Sequence, residues 1–180
     1  MSQRIFFALP LPDEIIDEIA TLQWGPPAVR WILPDQIHLT LRFVGVTSDQ
    51  DVERWTERFT TLATPAFTLQ LQGVGFFPPG GRPRALFTGV RDEAPVQQAR
   101  AALDHRLVAL GMSPVAERLR PHVTVGRVRR ADDDAIAAWL AGHGLYRSAP
   151  FEVGVVHMMR SIQTAAGAEY ETISTLELTP

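Results

Sequence analysis

The chain has 180 residues, 46% hydrophobic and 21% charged, with a net charge of −3, which is the balance of a globular protein long enough for a substantial core. It contains no Cys and no Lys; all 17 basic residues are Arg. Those absences exclude thiol nucleophiles, Schiff-base lysines, the P-loop lysine and ligation through a nucleotidylated lysine, and the acidic balance argues against indiscriminate binding to nucleic-acid phosphate.

Taken in order, residues 4–9 are rich in Ile and Phe and read as a buried strand. Pro12, Asp13 and Glu14 start a helix whose apolar stripe is Ile15, Ile16, Ile19 and Leu22, and Gly25-Pro26-Pro27 stops it. A strand follows at about 36–45, then a helix to about 63, headed by Ser48 with Asp51 in the manner of a capping box. Strands are expected at 67–71 and 84–90, separated by the loop signal Pro78-Pro79-Gly80-Gly81. A helix over 93–110 ends at Gly111, and a strand covers 121–128. A helix over 132–142 opens on three aspartates, and strands at 151–160 and 169–178 close the chain. Each half reads β-α-β-α-β with an extra pairing strand, which fits antiparallel sheets with helices on their outer faces, an α+β arrangement.

Two of these strands carry one pattern. His38-Leu39-Thr40-Leu41 and His122-Val123-Thr124-Val125 both read His, apolar, Thr, apolar. Alternation along a strand sends the apolar pair to a core and leaves His and Thr on the other face. The frame around them repeats at a constant separation of 84 residues: Trp55 matches Trp139, Phe67 matches Phe151, Val52 matches Ile136, and Leu69 matches Val153. Ser48, Asp49 and Gln50 match Asp132, Asp133 and Asp134. This is an internal duplication, read as two lobes of one domain over residues 1–180, with the histidines facing each other across a groove.

Two histidines on opposite walls suit general acid–base chemistry, because imidazole titrates near neutrality and one ring can be charged while the other is not. In-line displacement at phosphorus needs that placement, and activity would follow a bell centred near neutral pH. Thr40 and Thr124 offer hydroxyl donors to a non-bridging oxygen. Phe43 lies five residues after His38, and Arg127 five after His122. Odd spacing drops both to the opposite face unless the strand ends or bulges there, and spacing alone leaves this open. Arg118, Arg120, Arg127, Arg129 and Arg130 crowd His122, either as a phosphate-attracting wall or as solvated charge at strand ends. His105, His143 and His157 lack Thr partners and read as surface or core filling, and Asp132-Asp133-Asp134 as acids in a helix's first turn. No apolar run is long enough to span a membrane, the opening residues lack the apolar segment of a signal peptide, and no motif marks a metal or cofactor site. A cytoplasmic, metal-free protein without cofactors is expected.

These residues resemble the two-histidine phosphoesterase superfamily, in particular the RNA 2′,3′-cyclic phosphodiesterases, also called the 2′-5′ RNA ligase family. The resemblance runs nearly end to end through Arg4-Ile5-Phe6-Phe7-Ala8-Leu9, the stretch His38 to Gly45, the stretch Pro121 to Arg127, and the terminal Ser161…Gly167…Tyr170 pattern. It implies a bilobal α+β fold of two antiparallel sheets with outer helices, related by a pseudo-two-fold about a central groove. It implies hydrolysis of an RNA-terminal or nucleotide 2′,3′-cyclic phosphate to a 2′-phosphomonoester, without metal and reversible to 2′-5′ ligation. His38 is then the proton donor to the leaving 3′-oxygen and His122 the proton acceptor, while Phe43 stacks on the base and Arg127 contacts substrate. The expected partner is RNA with a cyclic-phosphate end, such as a tRNA fragment, or a cyclic nucleotide, acting on a monomer away from any membrane. Two other readings stay open: a phosphodiesterase acting on 2′-5′ oligoadenylate or an ADP-ribose cyclic phosphate, and a non-catalytic RNA- or nucleotide-binding module.

Overall fold

The computed structural model describes residues 2–165 and 167–179. Its elements are β1 (Ser2–Leu9), α1 (Asp13–Ala20), β2 (Val29–Trp31), a short 3₁₀ turn (Pro34–Gln36), β3 (Leu39–Ser48), α2 (Asp49–Arg58), β4 (Thr61–Ala63), β5 (Phe67–Leu69), β6 (Leu71–Phe77) and β7 (Ala85–Val90). They continue with α3 (Ala94–Ala109), β8 (His122–Val128), α4 (Asp133–His143), β9 (Phe151–Val153), β10 (Val155–Thr164) and β11 (Gly167–Thr179). The expected elements are present, with shifted bounds. The helix expected to run from 48 to 63 stops at Arg58, because Phe59 turns into the core and Thr61–Ala63 form a strand. The strand expected over 151–160 breaks at Gly154, and its first part pairs elsewhere. The short strands β2 and β4 have no periodicity that marks them in the sequence.

Both capped helices start at matching positions. The Ser48 hydroxyl accepts from the Asp51 amide and donates to the Asp51 carboxylate, and the Asp132 carboxylate accepts from the Ala135 amide. Each cap satisfies a backbone donor that the first helical turn leaves unpaired. Trp55 and Trp139 are both buried in the same core as Leu39, Leu41, Val123 and Val125, which are fully buried as the alternation required.

The strands run β4-β11-β10-β1-β3-β8-β7-β6, with β2 on β8, antiparallel except for the parallel β4–β11 pair; β5 and β9 form a separate two-stranded sheet. The β10–β1–β3 group and the β6–β7–β8 group meet at one residue pair, Leu39 with Val123. In the small sheet Thr68 pairs with Glu152 and donates to its carboxylate at 2.5 Å. Each of these pairs joins residues 84 apart. Antiparallel pairing of a position with its own counterpart is the register that a local two-fold imposes on two like strands.

The halves also exchange helices. From α3, Arg100 and Asp104 reach β3: Asp104 takes the buried Arg42 guanidinium at 2.6 Å, and Arg100 donates to the Leu41 carbonyl. Just beyond α1, Gln23 donates to the Val125 carbonyl of β8 at 3.1 Å, and the Leu22 carbonyl accepts from the Trp139 indole of α4 at 2.8 Å.

Candidate active site

The odd spacing of Phe43 and Arg127 is resolved by a pair of β-bulges. In the β1–β3 ladder Ala8 faces Thr40 and Phe7 faces Arg42, so Leu41 is left over. In the β7–β8 ladder Phe87 faces Thr124 and Leu86 faces Gly126, so Val125 is left over. One extra residue reverses the alternation beyond it. His38, Thr40 and Phe43 therefore share a face, as do His122, Thr124 and Arg127, while Arg42 goes inward. Both extra residues keep buried side chains, and their carbonyls are the ones bonded by Arg100 and Gln23. A carbonyl that a bulge removes from the ladder needs such a partner.

Those six side chains line one cavity of about 280 Å³, together with Ile32, Gln36, Phe77, Ala85 and Tyr170. Phe43 is 73% exposed, unusual for a Phe and suited to covering a flat apolar ligand. A larger cleft of about 890 Å³ lies beyond Phe77 and contains neither histidine.

The two rings are held alike. His38 Nδ1 lies 2.8 Å from the Gln36 carbonyl, and His122 Nδ1 lies 2.7 Å from the Arg120 carbonyl. A carbonyl only accepts, so Nδ1 carries the proton in both rings and Nε2 is left for chemistry. His38 Nε2 is 3.1 Å from Thr40 Oγ1. With Nε2 unprotonated, the hydroxyl is the donor of that bond. Aromatic rings hold both imidazoles: Phe6 and Tyr170 lie 5.1 and 5.2 Å from His38, and Phe77 and Phe87 lie 4.7 and 5.5 Å from His122, measured between ring centroids.

Burial pushes the His38 imidazole down to about 4, against the Gln36 carbonyl and with help from the Arg127 and His122 charges. His122 is lowered as well, first by burial, with the Arg120 carbonyl opposing and Arg127 adding to the shift. Both rings are therefore neutral in the free protein at neutral pH, so the centre of the bell moves to the acid side of the neutral value expected from unperturbed imidazoles.

Of the other arginines near His122, Arg118 pairs with Glu93 at 3.2 Å and, with Arg120, lines a neighbouring cavity that also contains Phe43 and His122. Arg129 lines a different neighbour with Arg127. His105, His143 and His157 are absent from the histidine cavity, and His143 lies against Trp24 and Trp139. Among the described residues, no group of three or more His, Asp or Glu side chains is arranged to hold a metal ion. No helix among them is long and apolar enough to cross a membrane.

Residues 11–164 match the sequence profile of the 2′-5′ RNA ligase superfamily. The chain belongs to that superfamily. The RNA 2′,3′-cyclic phosphodiesterase of Archaeoglobus fulgidus is 27% identical to it over 177 residues, covering 97% of this chain and 99% of that protein. The RNA 2′,3′-cyclic phosphodiesterase of Aeropyrum pernix is 30% identical over 147 residues, covering 81% and 84%. The crystal structure of E. coli LigT complexed with 3′-AMP shares the fold, with a TM-score of 0.78 at 23% identity over 100% of both chains.

Sequence reasoning reached the superfamily but missed three walls of its cavity here. Tyr170 stood in the terminal pattern without a role. Phe77 immediately precedes the Pro78-Pro79 loop and reads as a strand end. Gln36 acts on His38 through its backbone carbonyl, which no side-chain pattern reports.

Proposed function

We propose that this protein opens the 2′,3′-cyclic phosphate of an RNA end or nucleotide to a 2′-phosphomonoester, by metal-independent acid–base catalysis between His38 and His122. The observation that carries the reading is the pair of imidazoles, each fixed at Nδ1 by a backbone carbonyl, each beside a threonine, on one cavity. The relatives named above are RNA 2′,3′-cyclic phosphodiesterases, which supports the substrate class.

Neutral His122 takes a proton from water as the water attacks phosphorus. Protonated His38 gives its Nε2 proton to the leaving 3′-oxygen. Binding an anion beside His38 favours its protonated form, which supplies that proton. Once Nε2 carries a proton it no longer accepts from Thr40, and the Thr40 hydroxyl is free to turn to a non-bridging oxygen. Thr124 serves the other such oxygen, Arg127 balances the phosphate charge, and Phe43 covers the base. Each turnover moves one proton from water to the leaving oxygen, and solvent resets the two rings. With a 5′-hydroxyl in place of water as the nucleophile, the same steps make a 2′-5′ bond without ATP, and run backwards they open it. The two self-paired contacts support one domain of two lobes related by a pseudo-two-fold over residues 1–180. The six side chains of the site all come from one chain, and we read the protein as a monomer acting on RNA in the cytoplasm.

The test is the product. Cytidine 2′,3′-cyclic phosphate and a short RNA with a cyclic end are incubated in excess EDTA and followed by phosphorus NMR against authentic standards. The expected product is the 2′-phosphate alone, at a rate that chelation leaves unchanged. A 3′-phosphate would reverse the two histidine roles, and absence of any product would leave a binding module.

A further inference from the structure

Beside the histidine cavity lies a second one of about 420 Å³, and the two share Ile32, Gln36, Arg127 and Tyr170 as a common wall. Its lining also includes Arg30, Arg129, Ser161 and Gln163 and, among the described residues, no acidic side chain. Arg30 on β2 stands directly opposite Arg127 on β8, and Arg129 follows two residues on. Like charges directly opposite in a ladder are destabilising. Neither Arg127 nor Arg129 has a carboxylate at ion-pair distance among the described residues. The Arg30 guanidinium lies so close over Gly167 that a Cβ there would be 2.7 Å from Nη2, so the hairpin between β10 and β11 leaves room for this arginine only as glycine. Three cations gathered on one wall, with hydroxyl and amide donors facing them, form a receptor for an anion.

We infer that this second cavity binds the phosphodiester preceding the terminal nucleotide, so that the preferred substrate is an RNA strand rather than a free cyclic nucleotide. The inference rests on the cyclic-phosphate reading of the histidine cavity and goes on from the shape of a ribose. The cyclic phosphate occupies the 2′ and 3′ edge of the sugar; the base leaves from C1′ and the preceding phosphate from C5′, on the far edge. With the phosphate between the histidines and the base on Phe43, the 5′ side of the sugar is directed to the other end of the cavity. That end is Arg127, and beyond it are Arg129 and Arg30. A mononucleotide with a free 5′-hydroxyl leaves this receptor empty.

The experiment compares cytidine 2′,3′-cyclic phosphate, a dinucleotide with the same cyclic end, and that dinucleotide with an uncharged methylphosphonate at its one internal linkage. Each is assayed with the unmodified protein, Arg129→Glu and Arg30→Gln, with circular dichroism to check the fold. Loss of a charge-assisted contact predicts a fall in kcat/KM of roughly tenfold or more for the charged dinucleotide in Arg129→Glu, and a smaller fall in Arg30→Gln. Mononucleotide turnover stays within about twofold, since neither side chain lines the histidine cavity. The methylphosphonate dinucleotide is expected to lose the same factor with the unmodified protein and to be insensitive to Arg129→Glu. Equal turnover of charged and uncharged dinucleotides, or a loss shared by the mononucleotide, overturns the inference. Should no cyclic phosphate be opened at all, the functional reading fails by itself. Fluorescence anisotropy with a labelled tetranucleotide ending in a 2′-phosphate then decides the second cavity: roughly tenfold weaker binding to Arg129→Glu sustains it, and unchanged binding overturns it.

Discussion

His38 and His122 sit on matching scaffolds, each one residue before the junction pair, each anchored through Nδ1 to the carbonyl two residues upstream, each followed by a bulge at the same relative position. What stands beyond the bulge differs. After His38 comes Arg42, locked to Asp104 inside the protein, and then the exposed Phe43. After His122 comes Gly126, where a Cβ would lie 2.5 Å from Val29 of β2, and then Arg127. One wall thus presents an apolar ring and the other a cation, and the side nearer the cation also recruits β2 and its Arg30. On the proposed mechanism the matching frames supply two like proton-transfer groups, and the difference past the bulges gives the site a direction that favours one substrate orientation.

The largest effect expected from breaking this comparison comes from the equal members. His38→Ala and His122→Ala each lower kcat by about 10²–10⁴-fold while circular dichroism and melting behaviour stay near those of the unmodified protein. Full activity in either variant would remove that histidine from the mechanism. The unequal members come next. Arg127→Ala and Phe43→Ala each raise KM by about 10–100-fold, the cost of a charge-assisted contact or a base stack. The two then separate with salt, since the cationic contact weakens as ionic strength rises and the stack does not.

A stability measurement follows in size. Asp104→Ala leaves the nearly buried Arg42 without its carboxylate and lowers unfolding stability in urea by about 1–3 kcal/mol. The larger part of any activity change should disappear once unfolded protein is accounted for.

The smallest effect is in pH. The proposed mechanism needs one protonated and one neutral ring, a state richest between two lowered values, so kcat/KM is expected to fall with rising pH from the acid side of the ordinary imidazole value near 6.5. Bound phosphate opposes Arg127 and raises both imidazoles, which carries the kcat profile to higher pH. Arg127→Gln removes a positive charge that disfavours both protonated rings. It therefore raises both titrations in the free protein, read by proton NMR of the imidazole resonances. An unchanged His122 titration in that variant would place Arg127 too far away to act.

The histidines, threonines and the α+β order were legible because each depends on residue type and short periodicity. Leu39, Leu41, Val123 and Val125 announce a core by alternating, and Ser48 and Asp132 announce helix starts by their side chains. The side on which Phe43 and Arg127 emerge was not legible from spacing, because a bulge is stabilised by distant partners. Arg100 in α3 and Gln23 just beyond α1, which bond the two displaced carbonyls, lie in segments that no local pattern connects to these strands. Arg30 was hidden for the same reason: only the pairing of β2 with β8 brings it opposite Arg127.

The strand order has a consequence for how the site comes into being during synthesis. The wall holding His122 is a meander of β6, β7 and β8, whose partners emerge one after another before residue 129. The wall holding His38 hangs on β1, which is made first and needs both β3 and the much later β10, whose own neighbour β11 comes last. Until residues 155–164 leave the ribosome, β1 has an open edge toward solvent, the kind of edge that invites mispairing. His38, the proposed proton donor, is therefore the last of the two histidines to be properly housed, and an incomplete chain would hold the proposed base without its acid.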